Sequence, residues 1–499
     1  MKQSIFPGTP LLAGPDVELK RRQILDYFHA TFDRYEQLFE VLTCDEAYYV
    51  KPIALRHPLI FYFGHTATFF INKLVLAGLI EQRINPGFES MFAIGVDEMG
   101  WDDLNDMRYD WPGVDEVRRY RQAVRAAVDR LIRTIPLSLP IAWDDPWWII
   151  LMGVEHERIH LETSSVLIRQ HELKYVQKHP AWTPCRDSGS APQNTLVAIP
   201  AAEFRIGRER SDPKIYGWDN EFGRHEASTA AFQASRHLVS NQEFLAFVEA
   251  GGYADDSFWQ EEGAAWKKFA QAKHPTFWVK DGPQWRLRLM LEEIPMPWDW
   301  PVEVNYHEAK AFCNWKAELS GQPARLPTED EWYRLYDVVQ LSDVPFNAPA
   351  NGNLHLDYYA SSCPVSEFPH GEFFDIVGNA WQWTETPTYP FAGFDVHPLY
   401  DDFTTPTFDN QHNLIKGGSW IACGNESLHS SRYAFRRHFF LHAGFRYVVS
   451  DAPATQPGSN YETDKLLSEY AEFHYGDIYF NVPNFPKSLA EIAIAAMGD

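Results

Sequence analysis

Between about residues 17 and 180, apolar side chains recur every three to four positions, the period of amphipathic helices. Val17–Leu42 carries the stripe Ile24, Tyr27, Phe28, Phe32, Tyr35 and Phe39. Pro58 opens a second predicted helix, Pro58–Leu79, because proline suits the first turn. A third, Val114–Ile135, follows Pro112-Gly113. A fourth, Pro146 to about Leu173, starts after Asp144-Asp145, an N-cap. Four helices of this length predict an antiparallel bundle. The connection Ile84–Trp111 is too long for a tight bundle turn, and such loops commonly carry function. Near Pro184–Gln193 the pattern breaks into a Ser/Gly/Pro/Asp linker. Beyond it, short β-like runs (Thr195–Ile199, Phe204–Gly207, Ala231–Val239) alternate with turn residues. Two short helices are predicted, Asn241–Ala250 and Tyr306–Leu319. Residues 195–450 therefore read as a compact α+β domain. Tyr461–Met497 reads as two short helices too small for a core of their own.

The 499 residues suit roughly two to four domains at about 150 residues each. The charge of −24 argues against duplex nucleic acid or an anionic membrane as the main partner. The five scattered cysteines, with no CxxC, favour neither a disulfide framework nor a cysteine zinc site. The N-terminus lacks an apolar signal core, and the run at Trp147–Val154 is short of a bilayer span, so a cytoplasmic location is expected. The 18 tryptophans are the unusual feature, and suit a loop-rich fold or pockets for small polar ligands.

His156-Glu157-Arg158-Ile159-His160 is the sharpest local motif. Histidines at i and i+4 share a helix face and can reach one ion. His65, mid-way along the second helix, is a third candidate, since bundle helices present facing side chains to one interior point. Three neutral imidazoles leave coordination positions open on a divalent metal. A second reading is the zinc-hydrolase pattern H-E-x-x-H with Glu157 as general base. No H-x-x-G-x-x-H continuation follows, and Glu172 lies three turns along the same helix. In both readings the histidines can equally be satisfied core residues.

The second half holds dense segments: Arg325-Leu-Pro-Thr-Glu-Asp-Glu-Trp332, Gly378-Asn-Ala-Trp-Gln-Trp-Thr384, Gly417-Gly-Ser-Trp420 and Gly444-Phe-Arg446. In this order they resemble the formylglycine-generating-enzyme family, which has a C-type-lectin-like fold. Gln382 and Lys416 depart from its acidic residue and its arginine. The paired cysteines of the copper-dependent members are missing near the Gly-Phe-Arg end. A DinB-like four-helix bundle bearing these histidines, followed by such a domain, resembles the non-haem iron sulfoxide synthases of thiohistidine biosynthesis. His57–His65, Asn85–Trp101, Thr388–Phe394 and Ser431–His438 resemble the ovothiol branch, 5-histidylcysteine sulfoxide synthase, rather than the ergothioneine branch.

The resemblance covers about 50–450. It implies a bundle over 1–185, a lectin-like domain over 195–450 and a tail, 451–499, like the lead-in to a methyltransferase domain. No S-adenosylmethionine turn follows residue 461, so methyl transfer is expected of a separate enzyme. By the resemblance, His65, His156 and His160 hold Fe(II). O2 is co-substrate, and L-cysteine is coupled to C5 of L-histidine. Tyr389 is implied as the acid or hydrogen donor. Arg432, Tyr433, Arg436, Arg437, Gln382, Trp383, Asp103, Asn105 and Arg108 are candidate substrate contacts, because zwitterionic substrates need guanidinium forks and acceptors. Coupling at C2 of trimethylhistidine, a zinc hydrolase and a non-catalytic binding protein are the alternatives.

Overall fold

The computed structural model describes residues 6–93, 109–211, 213–343, 351–400 and 403–454. The N-terminal part is helical: α1 (Val17–Phe39), α2 (Glu46–Tyr49), α3 (Leu59–Leu76), α4 (Pro86–Met91), α5 (Val114–Thr134) and α6 (Pro146–Gln170). The four long helices are those predicted from periodicity. Each ends one to three residues before its predicted C-terminus. The Asp16 carboxylate caps α1 and Asp145 caps α6, each accepting from a first-turn amide. The long connection after α3 contains α4, capped by Asn85.

α3 is apolar enough, at a mean hydropathy of 1.3, to match a membrane span in length and composition. It is a core helix here, with 78% of that stretch buried inside the fold. It packs against α6 closely enough that a Cβ at Gly153 would run into the Phe70 ring.

α6 lies at the centre of the molecule, and Trp147 through Arg169 are all buried. Its charged residues are accordingly paired, as burial demands. Glu155 accepts from the Tyr27 hydroxyl at 2.6 Å and the Asn425 amide at 2.7 Å. Arg158 donates to Thr31 at 2.8 Å and to the Cys423 carbonyl. Glu162 accepts from Ser419 at 2.5 Å, and Arg169 pairs with Glu303 at 2.7 Å. Four of these partners (Asn425, Cys423, Ser419 and Glu303) belong to the second half of the chain. The same helix is thus bundle core and domain interface.

The C-terminal part is a lectin-like α+β domain. Leu196–Ile199, Phe232–Ser235, Val448–Val449 and Ala324–Arg325 form one antiparallel sheet, in that order. Its first and last strands in sequence share a neighbour, which closes the domain. A second sheet runs Tyr433–Arg436, His412–Lys416, Trp381–Pro387, Ala443–Gly444. Around these lie α7 (Asn241–Glu249), α8 (Glu261–Ala270), α9 (Tyr306–Ser320) and α10 (Glu329–Val338). α8 and α10 were not predicted. α10 starts at a capping box, in which Glu331 accepts from the Thr328 amide and Thr328 from that of Glu331. An N-terminal DinB-like helical domain followed by a lectin-like domain is therefore the observed architecture.

Candidate metal centre

His65 projects from the middle of α3, and His156 and His160 project from α6 one turn apart. All three are buried, and their ligand nitrogens lie within 4.8 Å of one another. The Nε2 atoms of His156 and His160 stand 3.2 Å apart. Two nitrogens bound to one ion at about 2.1 Å are separated by a similar distance. Outer contacts turn the rings inward. His65 Nδ1 lies 2.6 Å from the Phe92 carbonyl, so that nitrogen carries the proton and Nε2 keeps its lone pair. Thr163 sits 3.3 Å from Nδ1 of His160. The Phe69 ring, one turn after His65, stacks on His156 with centroids 3.7 Å apart and planes 8° from parallel. The donor set fits iron, as it fits the other divalent transition metals that imidazole binds.

Burial, followed by the other two rings, holds His156 well below the ordinary imidazole value of 6.5. Burial, then His65 and the Arg56 guanidinium, does the same for His160. Both are therefore neutral ligands at neutral pH. Because their folded values are depressed, protons compete with metal at these two rings only well below 6.5. With these two imidazoles already neutral, metal affinity should fall less steeply on acidification from about pH 7.5 than at a site of ordinary imidazoles, which weakens through 6.5. Anaerobic Fe(II) titrations at several pH values check this. A fall as steep as that of an ordinary imidazole site would contradict it.

Glu157 is no base for these histidines. It is buried on another face of α6, where Arg121 donates to its Oε1 at 2.8 Å and Thr66 at 3.2 Å. Arg121 itself is sandwiched among Phe32, Tyr35 and Phe63. This removes Glu157 from the general-base role that the zinc-hydrolase reading gave it. Glu157→Ala should destabilise the fold by about 3 kcal/mol, because it leaves the buried Arg121 guanidinium with the part-exposed Glu36 as its carboxylate partner. Urea unfolding measures that loss, and an unchanged midpoint would contradict it.

The lectin-like domain closes the site with Tyr400, whose ring centroid lies 6.1 Å from that of His156 and 4.9 Å from that of Phe69. Lys73, two turns after His65 on α3, sits 4.2 Å over the Tyr400 ring. On the other side, Arg56 donates to the Tyr62 hydroxyl at 3.0 Å and lies over Phe439 at 4.8 Å. The sequence reading named none of Tyr400, Lys73 and Arg56. Lys73 was legible in principle, since residues 65, 69 and 73 share a helix face.

Most of the expected contacts lie elsewhere. The Tyr389 hydroxyl is buried with no hydrogen-bond partner among the described residues, and its ring packs against His225, Phe391 and the Arg432 guanidinium. Arg432 forms a two-pronged pair with buried Glu329, at 2.9 and 3.0 Å. Gln382 is wholly internal: it donates to the carbonyls of Asp375 and Ile376 and accepts from Arg446 at 2.7 Å. Trp383 is also buried, its indole donating to the Val304 carbonyl. The Tyr433 hydroxyl lies between Trp218 and Asn425. Arg437 pairs with Glu262 at 2.7 Å, and Arg436 donates to Gln411. Among the described residues no hydrogen bond links any of these side chains to the three histidines. Gln382, Trp383 and Arg432 hold the domain together, because burial obliges their polar atoms to find internal partners. Asp103, Asn105 and Arg108 lie outside the described residues. The rings of Tyr109 and Trp111 lie 6.0 and 6.2 Å from that of His57, which packs on Phe61.

Residues 27–164 match the DinB superfamily, and residues 185–335 match the sulfatase-modifying factor enzyme 1-like domain. The chain is similar to hercynine oxygenases. It is 29% identical to that of Mycolicibacterium smegmatis over 346 residues, 65% of this chain and 76% of that protein. It is 25% identical to ergothioneine biosynthesis protein 1 of Schizosaccharomyces pombe over 441 residues, 80% of this chain and 52% of that protein. A formylglycine-generating enzyme from Mycobacterium tuberculosis is 27% identical over 315 residues, 51% of this chain and 97% of that enzyme.

Proposed function

We propose that this protein is an Fe(II)- and O2-dependent sulfoxide synthase that joins the thiol of L-cysteine to C5 of L-histidine. The observation that carries the proposal is the buried histidine trio with Tyr400 against it, where the two domains meet. The similarity to hercynine oxygenase and ergothioneine biosynthesis protein 1 supports thiohistidine chemistry. The stretches resembling the ovothiol branch support C5 and an unmethylated histidine.

The atoms balance simply. Cysteine loses its thiol hydrogen and histidine its ring C–H hydrogen. One oxygen atom of O2 enters the sulfoxide and the other leaves as water. His65, His156 and His160 would hold Fe(II), which when bound supplies thiolate ligation and O2 activation. The chain's own groups do the rest. The neutral imidazoles leave room for the thiolate and O2. Phe61 and Phe69 flank the rings and keep bulk water away from them. Among the described residues, Arg56 and Lys73 bring positive charge beside His160 and His156, which favours carboxylate-bearing substrates there. Tyr400, rather than Tyr389, holds a hydrogen at its phenol oxygen for transfer within the site. The cytoplasm suits this chemistry, since it keeps free cysteine reduced.

Histidine labelled with deuterium tests the ring position. Loss of label from C5 during turnover is expected, with C2 label retained. Loss from C2 instead would move the reading to the ergothioneine-type reaction.

A further inference from the structure

Tyr400 reaches the histidines from an irregular stretch with no helix or strand of its own, so something else must fix it. Asp219 does so from the other side of the chain. It is buried in the short turn Asp219–Glu221. One carboxylate oxygen accepts from the Thr404 hydroxyl, and the other accepts from the His397 amide at 3.4 Å. The carbonyl of His397 in turn accepts from the Tyr400 amide at 2.9 Å. A single carboxylate thus grips the chain three residues before Tyr400 and four residues after it.

The neighbouring Trp218 supports the rings of the same stretch. Its ring lies 4.2 Å from Phe403 and 5.9 Å, edge-on, from Tyr400. Trp218 is fixed in its turn. Its indole donates to the Tyr433 hydroxyl at 2.6 Å, and Tyr433 donates to Asn425 at 3.2 Å. The Asn425 amide donates to Glu155 at 2.7 Å, the residue before His156. The support of the tyrosine and the helix bearing two of the histidines therefore form one hydrogen-bonded frame.

We propose that Asp219 is a positioning residue: its carboxylate clasps the His397–Thr404 stretch so that Tyr400 is held against the histidine trio. The consequence for turnover rests on the reading of Tyr400 as hydrogen donor. The clasp itself does not.

The two are tested separately on the whole chain. Amide hydrogen exchange of the metal-free protein reads the clasp. Asp219→Ala should speed exchange at the Tyr400 amide by at least about tenfold, the factor for losing one hydrogen bond to a charged group, since both bonds of the carboxylate are lost. Exchange in the peptide bearing His156 and His160 should not change. Asp219→Asn keeps one acceptor oxygen and should fall between. Thr404→Val, which removes one of the two bonds, is the second variant should Asp219→Ala fail to fold. Product analysis of the iron-loaded protein reads the consequence. Asp219→Ala should shift products in the direction of Tyr400→Phe at nearly unchanged KM for cysteine, and Asp219→Asn should restore part of the wild-type pattern. Wild-type exchange in both Asp219→Ala and Thr404→Val would overturn the clasp. Faster exchange with unchanged products in both Asp219→Ala and Tyr400→Phe would leave the clasp standing and overturn the donor reading instead.

Discussion

His160→Ala is expected to abolish iron binding and O2 consumption together. The three imidazoles converge from two helices, and none of them is replaceable by a neighbour. Glu157, adjacent to His156, is committed to Arg121, and Phe69 fills the opposite face of the His156 ring. Losing an outer partner of a ligand commonly weakens metal by about 10–100-fold, so losing a ligand should cost at least about 100-fold. The fold should survive, because the alanine leaves no charge stranded. Fe(II) titration and an oxygen electrode measure the two effects. Iron affinity close to wild type would remove His160 from the metal site, and unimpaired O2 uptake would separate the metal from the reaction.

Tyr400→Phe is expected to keep iron and lose the coupled product. The ring still packs on Phe69 and beneath Lys73, so the site keeps its shape. Only the phenolic hydroxyl is gone. Removing a positioned proton donor costs about 100–10,000-fold. The coupled sulfoxide should fall by at least the lower figure. O2 should then be diverted into cysteine sulfinate, which needs only the thiol and both oxygen atoms. Tyr389→Phe should leave the products unchanged, since the contacts of that ring run to His225, Phe391 and Arg432. The paired variants discriminate the two tyrosines directly. A product change in Tyr389→Phe with none in Tyr400→Phe would reverse the assignment.

The histidine trio was legible in the sequence because its geometry is local. Two ligands share a helix face through i, i+4 spacing, and the third sits mid-way along the facing helix. The tyrosine was not legible in the same way. Tyr389 and Tyr400 both lie in irregular chain after the strand Trp381–Pro387, eleven residues apart. Which of them meets the bundle is decided by Asp219, about 180 residues earlier. Nor does sequence distinguish a binding motif from a folding motif. Gly378–Thr384 is dense in Trp, Asn and Gln because the lectin-like core has little regular structure. There Gln382 joins the Arg446 guanidinium to two backbone carbonyls, and Trp383 caps Val304. Two of the three arginines of Ser431–His438, Arg432 and Arg437, likewise carry their own carboxylates, Glu329 and Glu262. Periodicity placed α6 correctly but could not reveal that all its faces are covered. Its polar face is buried by the second domain, not by water, and a helix pattern read alone cannot distinguish the two.

Mass spectrometry of a single reaction tests the central claim most directly. The protein is loaded anaerobically with Fe(II), then given L-cysteine, L-histidine and air. The account predicts one product containing both amino acids and one added oxygen atom, with one O2 consumed for each. O2 uptake without a coupled product, or neither, would contradict it.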